Sequence, residues 1–430
     1  MKLHKAALAG VAILLMSFQA GCALTEQYEV LKTEFLGKAE DAKPKPKPKA
    51  KQKQKQAREN GLSPETEQEA LETEEPSSVQ QDGEEQKPLG DQEIHAEDYA
   101  FLTLTQEEQT VYQEVLKTAL EHTENTEVST LDTEVLERAY RAVCADYGGL
   151  FWMSGYVYTQ YTRGGELTGM EFTPKYIMDY EERQRFQQQI DGSVEELLAG
   201  ISITDTDYEK AKYVFEILAQ NVDYDSSVEH NQNIISAFLN RATVCQGYAS
   251  AAQYLLKQLG IQSVIVTGRA NGESHAWNLI CLDGAYYYMD TTWGNSRYLD
   301  HSSQSGKHVN YSYMAMTTEE IERTHTFDNS FPLPVCSSMA CNYFVRENRY
   351  FTDWNPQAVG TLLAEVWNGG GEELAVKFSS QDIYRMAMDY FITEQHISDY
   401  CENISSIYYL EDEERYALTF HFSVPERYQS

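Results

Sequence analysis

The stretch Val244-Cys245-Gln246-Gly247-Tyr248-Ala249, followed by Ser274-His275-Ala276-Trp277-Asn278 and Tyr288-Met289-Asp290-Thr291-Thr292-Trp293, decides how this chain is read. Each segment presents one reactive side chain: a cysteine, a histidine 30 residues later and an aspartate 15 residues after that. Cys245 stands just ahead of Ala249, Ala252, Leu255, Leu256 and Leu259, which share one helical face and end at Gly260. A thiol at a helix start meets unpaired backbone amides and the positive end of the macrodipole, and both favour a thiolate. Three strands are expected next, Ser263 to Thr267, Ala276 to Leu282 and Ala285 to Asp290, with breaks at Asn271-Gly272 and Asp283-Gly284. His275 opens one strand and Asp290 closes the next, so antiparallel pairing brings imidazole and carboxylate together. The carboxylate then holds one ring nitrogen and leaves the other to the thiol. Such a pair rests as thiolate and imidazolium, and the imidazolium protonates a departing amine. The Cys245 amide would stabilise the oxyanion. Taken singly, a buried cysteine or a strand histidine is usually structural. Their joint spacing, with Gly, Trp and Asn as neighbours, is what points to chemistry.

Within Val-Cys-Gln-Gly-Tyr-Ala, His-Ala-Trp-Asn and Asp-Thr-Thr-Trp, the chain resembles the transglutaminase-like superfamily, in particular its bacterial, cysteine-protease-like members. Asn221-Val222-Asp223-Tyr224-Asp225, Pro334-Val335-Cys336 and Asn342-Tyr343-Phe344 extend the resemblance to about residues 205–352. It implies a papain-like α+β core, helices packed on an antiparallel sheet, with Cys245, His275 and Asp290 as catalytic residues. Gln246, Tyr248, Trp277, Asn278 and Trp293 are the candidate substrate-side positions, with wall packing or core roles as their alternative. The implied activity is cleavage of a protein or peptide amide through a thioester. Transfer of the acyl group to a lysine amine, making cross-links, uses the same chemistry. A scaffold that keeps the fold without turnover is the rival from another class.

Upstream, Lys2 and Lys5 precede the apolar run Ala6 to Phe18, too short to span a bilayer and ended by Gln19-Ala20-Gly21-Cys22. Residues 1–21 read as a secretory signal, and Ala-Gly-Cys resembles a bacterial lipobox with Cys22 lipidated; an ordinary cleaved signal is the alternative. Residues 22–100 read as a charged tether: a Lys-Pro repeat from Lys43, a Lys-Gln repeat from Lys51, then an acidic stretch, none able to build a core. Residues 101–200 form an N-terminal α+β region, 201–354 the catalytic domain and 355–430 a small α+β module, either separate or extending the main sheet. Its location is then the outer face of a bacterial cell membrane, anchored through Cys22.

The 430 residues carry a net charge of −33, and residues 101–430 hold −27 of it, with 21 basic against 48 acidic side chains. That argues against nucleic acid as a partner, because phosphate binding needs clustered Lys and Arg, and for basic peptides as substrates; cell-wall peptides are the other candidate class. Seven cysteines are too scattered for a disulfide framework. Cys144, Cys281 and Cys401 read as structural, and Cys336 and Cys341 as a local disulfide or free thiols. The Cys336–Cys341 spacing would also suit a metal half-site, but no matching His or Cys pair accompanies it, so no metal is expected; Gly369-Gly370-Gly371 lacks phosphate-loop spacing and reads as a turn, so no cofactor is expected.

Overall fold

The structure, a computed structural model, describes residues 2–5, 98–163, 166–295, 308–404 and 406–422. Cys22, nearly all of the expected tether, and the expected signal segment apart from Lys2–Lys5 lie outside the described residues. After Lys2–Lys5, the first described element is the short helix Tyr99–Leu102. A Thr105–Glu108 capping box then starts helix Gln106–Glu121, and the Asp132 side chain caps helix Thr133–Asp146. Strands Met153–Arg163 and Glu166–Tyr176 form the expected hairpin, to which Thr126–Val128 adds a third strand. Helices Tyr180–Leu198 and Asp207–Asn221 follow.

The four-stranded antiparallel sheet that holds the site runs in the order His325–Phe327, Ser263–Ala270, Glu273–Leu282, Ala285–Met289. Its two hairpins turn where the sequence places them. Asn271 and Gly272, and likewise Asp283 and Gly284, all have positive φ, the backbone that two-residue turns between twisted strands require. Helix Cys245–Gln258 lies across this sheet and buries Ala249, Ala252, Leu255 and Leu256 along one side. The strands between the turns are buried on both faces, since the helix covers one and the chain wraps the other.

The N-terminal region is fastened to that helix by polar bonds. Gln253 donates to the Ala145 carbonyl at 2.6 Å and accepts from the Gly148 amide at 2.6 Å. Lys257 pairs with Asp98 at 2.9 Å and donates to the Asp146 carbonyl at 2.6 Å. Downstream, the C-terminal strands build a sheet of their own rather than prolonging the first. Its order is Lys2–Lys5, Ser406–Asp412, Ala417–His421, Glu373–Phe378, Tyr350–Phe351. Cleavage at Cys22 would remove the Lys2–Lys5 strand and leave Ser406–Asp412 at the edge. Val359, Leu363, Leu374, Val376, Phe391, Leu418 and Phe420 form the core here. A buried ion pair, Lys377 to Glu320 at 2.6 Å, ties this sheet to helix Thr318–Glu322.

Candidate active site

Cys245 is the first residue of its helix, with Val244 as N-cap, and it is 6% exposed. The loop before it is set by short bonds: the Val244 amide donates to the Asn231 carbonyl at 3.0 Å, and the Thr243 hydroxyl donates to the same carbonyl at 2.7 Å. Gly247 lets the first turn rest on this loop. A Cβ at that position would stand 1.8 Å from the Thr243 hydroxyl, which no side chain tolerates. The fold therefore drives the Cys245 amide and thiol to the open end of the helix, where backbone N–H groups lack intrahelical acceptors.

The sheet brings the other two groups to this point. His275 Nε2 lies 2.8 Å from Asp290 Oδ2, both side chains nearly or fully buried, and the Cys245 thiol is hydrogen-bonded to the same imidazole. With Nε2 held by the carboxylate, Nδ1 is the nitrogen left for sulfur. Burial opposes charge on His275, but the Asp290 carboxylate outweighs it and, with the bonds to Asp290 and Cys245, lifts the imidazole to about 10. Burial likewise opposes charge on Asp290. The neighbouring His275 charge, helped by hydrogen bonds from His275 and His325, still holds its carboxyl well below the usual carboxylate range. Asp290 is fixed in turn as the N-cap of Thr291–Gly294: Oδ1 accepts from the Trp293 amide at 3.1 Å, and its own amide donates to Tyr313 at 3.0 Å.

A third ring completes the cluster. His325 Nε2 lies 3.2 Å from the same Asp290 oxygen, and nothing in the sequence motif announces it. Its protonation follows from that contact: an ionised carboxylate only accepts, so the proton of the neutral ring sits on Nε2, aimed at Asp290, and Nδ1 is left to accept. Arg415 donates to the Thr324 hydroxyl at 2.6 Å, and that hydroxyl, 2.8 Å from His325 Nδ1, gives its own proton to the ring. Burial, with repulsion from His275 and Arg415, pushes the His325 pKa down against the pull of Asp290 and keeps the ring neutral. Arg415 is 1% exposed and stacks over Tyr313 at 4.2 Å. A residue of the C-terminal sheet region is thus linked through Thr324, His325, Asp290 and His275 to Cys245.

The family described as the transglutaminase-like superfamily matches residues 195–291, the segment that carries Cys245, His275 and Asp290. That segment is a transglutaminase-like domain. Kyphoscoliosis peptidase of Homo sapiens is 23% identical over 107 residues, covering 21% of this chain, and the same protein of Mus musculus matches equally. The match spans only 16% of those relatives' own length. Among solved structures, a proposed cysteine protease from Cytophaga hutchinsonii is 16% identical, covers 32% of this chain and 62% of its own, and has a TM-score of 0.22. The periplasmic domain of TgpA from Pseudomonas aeruginosa is 13% identical over 33% of this chain and 68% of its own, with a TM-score of 0.20.

Within the transglutaminase-like domain, the five candidate substrate-side residues separate into two groups. Tyr248 is fully buried, with its hydroxyl donating to the Val222 carbonyl at 2.5 Å and accepting from Asn295 at 2.9 Å. Asn278 is also fully buried and donates to the Ala249 carbonyl at 2.9 Å, locking the His275 strand to the Cys245 helix. Of the two roles expected for them, both take the core one in this structure: alternation along strand and helix turns them inward. Trp277 and Trp293 pack around His275, with ring centres 6.0 and 5.9 Å away. Each indole Nε1 is buried without a hydrogen-bond partner among the described residues, so the pair supplies donors that the fold itself does not use. Gln246 is half-buried and reaches the Ser250 hydroxyl at 3.3 Å.

The remaining described cysteines are free thiols. Burial raises Cys144, Cys336 and Cys401 to about 11 and pushes Cys281 and Cys341 upward as well. Cys336 and Cys341 are not joined to each other, and Cys341 lies 3.4 Å from an Asp283 carboxylate oxygen. Cys401 is buried as expected, whereas Cys144 and Cys281 are only half-buried.

Proposed function

We propose that this protein is a cysteine peptidase or amidase that cleaves protein or peptide amides with Cys245 as nucleophile, His275 as acid and base, and Asp290 as orienter. The observation that carries this reading is the buried 2.8 Å contact between Asp290 and His275, with the Cys245 thiol bonded to that same ring at a helix start. Cys245 sulfur attacks the amide carbon while the first-turn amides receive the developing oxyanion. The C–N bond breaks as imidazolium gives its proton to the leaving amine. Water then attacks the thioester, returning a proton to His275 and releasing the acid.

Secretion, lipid attachment through Cys22 and a position on the outer face of a bacterial membrane belong to the same proposal. So does a preference for basic peptides, supported by the acidity of residues 101–430, with cell-wall peptides as the other candidate substrate. The test pairs labelling with product analysis. Iodoacetamide at neutral pH is expected to modify Cys245 first, because burial disfavours the thiolate at the other described cysteines; equal labelling of all thiols would sink the idea. Cys245→Ala is expected to fold but not turn over a peptide library. Peptides released without incorporation of a labelled primary amine support hydrolysis, and incorporation of the amine moves the reading to cross-linking. A folded wild-type chain with neither outcome favours a scaffold.

A further inference from the structure

Three ligand-type side chains converge away from Cys245, where the C-terminal sheet meets the chain just ahead of Val309. Glu373 and His421 stand directly opposite each other on antiparallel strands Glu373–Phe378 and Ala417–His421, so their side chains share a face. His308 reaches the same point from the catalytic side. Glu373 Oε2 lies 2.6 Å from His308 Nδ1 and 3.2 Å from His421 Nδ1, and the two imidazole centres are 4.3 Å apart. One donor atom from each of the three lies within 4.8 Å of the others.

We propose that His308, Glu373 and His421 bind a divalent transition-metal ion, zinc(II) foremost, which staples the C-terminal sheet to the flank of the active site. Two imidazole nitrogens and one carboxylate oxygen are a donor set zinc accepts, with water completing a tetrahedron. Ligands at about 2.0–2.2 Å around such an ion lie about 3.3 Å from one another. The His421–Glu373 separation already fits, and His308 has to move back by less than about 1 Å. His308 and Glu373 are half-buried, so their side chains have room for that adjustment. Calcium and magnesium fit poorly, since they take six or more oxygens and the described cluster offers one carboxylate.

The position gives the ion a purpose. Val309, next to His308, pairs with Asn295, and the Asn310 amide donates to the Gly294 carbonyl at 2.9 Å. Gly294 and Asn295 end the short helical turn that Asp290 caps. An ion held by His308 therefore stiffens the segment on which Asp290 sits and joins it to residues more than 60 positions downstream.

The experiment uses the full chain stripped with a chelator and titrated with zinc chloride, read by calorimetry and thermal unfolding, then with cobalt(II) for its visible spectrum. We expect one ion per chain at this site and a raised Tm. His308→Ala and Glu373→Gln should each weaken binding at least about tenfold, a loss seen even for groups that only support a ligand, while Cys245→Ala binds as wild type. The cobalt form should show ligand-field bands without the strong near-ultraviolet absorption of a thiolate ligand. Circular dichroism confirms that the variants fold, and His308→Gln replaces His308→Ala if that one does not. No saturable binding by the wild-type chain, unchanged binding in both ligand variants, or a thiolate spectrum that disappears in Cys245→Ala overturns the proposal.

Discussion

Asp290→Asn tests the electrostatic heart of the site, because it removes the charge that lifts His275 while nearly preserving shape. The imidazole rises from an ordinary 6.5 to about 10 in the folded chain. At pH 7 the unfolded ring is already mostly neutral, so the interval that counts is the three units up to about 10. At about 1.4 kcal/mol per unit this is about 4 kcal/mol, within the 3–5 kcal/mol typical of breaking a buried pair. The depressed carboxyl of Asp290 describes the same interaction from its other partner, so it adds nothing further. A raised imidazole stabilises the fold fully below about pH 6.5 and loses that contribution as pH climbs through about 10. A lowered carboxyl stabilises above its ordinary range and loses its contribution on acidification. The stability gap between wild type and variant should therefore be flat at about 5 kcal/mol between about pH 4.5 and 6.5, fall to about 4 kcal/mol at pH 7, and shrink toward pH 10. Urea denaturation of both proteins across that range measures it. A gap below about 1 kcal/mol at pH 7, or one that holds steady to pH 10, would refute the reasoning. Turnover should fall by about 10⁴-fold, the cost of losing the orienting carboxylate in comparable triads.

Other perturbations separate framework from chemistry. Gly247→Ala drives a methyl into the Thr243 hydroxyl and should cost about 1–3 kcal/mol of stability, as overpacking does; a variant as stable as wild type in urea would mean that the Cys245 turn is not seated on Thr243. Thr324→Val cuts the link from Arg415 to His325 and should lower kcat about tenfold with KM little changed, shifting the pH profile of kcat; unchanged kcat and profile would show that His325 needs no outside support. Asn278→Ala should cost about 1–3 kcal/mol, the range for unmaking a buried hydrogen bond, yet leave substrate KM alone. A raised KM there would return Asn278 to the substrate-facing set.

The parts of this molecule that were readable in advance are those governed by local chemistry. Asp132 and the Thr105–Glu108 pair mark helix starts because a short polar side chain there satisfies orphan amides. Asn271-Gly272 and Asp283-Gly284 mark turns because their backbone is left-handed, and those two turns fix the register that sets His275 beside Asp290. Tyr248 and Asn278 stayed open between substrate contact and core because a motif records proximity to the site, not the side of the helix or strand on which a residue stands. His325 left no mark at all. It joins Asp290 only because strand His325–Phe327 adds antiparallel to the far edge of Ser263–Ala270, a pairing between segments about 60 residues apart. His308, Glu373 and His421 are hidden for the same reason, since their meeting depends on a second sheet whose placement no local pattern specifies.

That dependence on distant pairing explains why the site is not finished by the matched segment alone. Residues 195–291 contain Cys245, His275 and Asp290, yet Asp290 Oδ2 faces two imidazoles, and the second, neutral beside the His275 charge, donates through Nε2. A free neutral imidazole places its proton on either nitrogen. Here the acceptor-only carboxylate of Asp290 makes the choice, and Thr324, itself held by Arg415, fills the Nδ1 that is left to accept. Arg415 is always charged and nearly fully buried, and it is held by the Tyr313 ring and by Asp412, so it has no other proton state to adopt. The C-terminal region thus supplies the fixed end of a hydrogen-bond chain whose other end is the Cys245 thiol. Asp290 can remain ionised in a dry site because each of its oxygens receives a donor, and the ring that supplies one of them is braced through Thr324 by a residue more than 120 positions away in sequence.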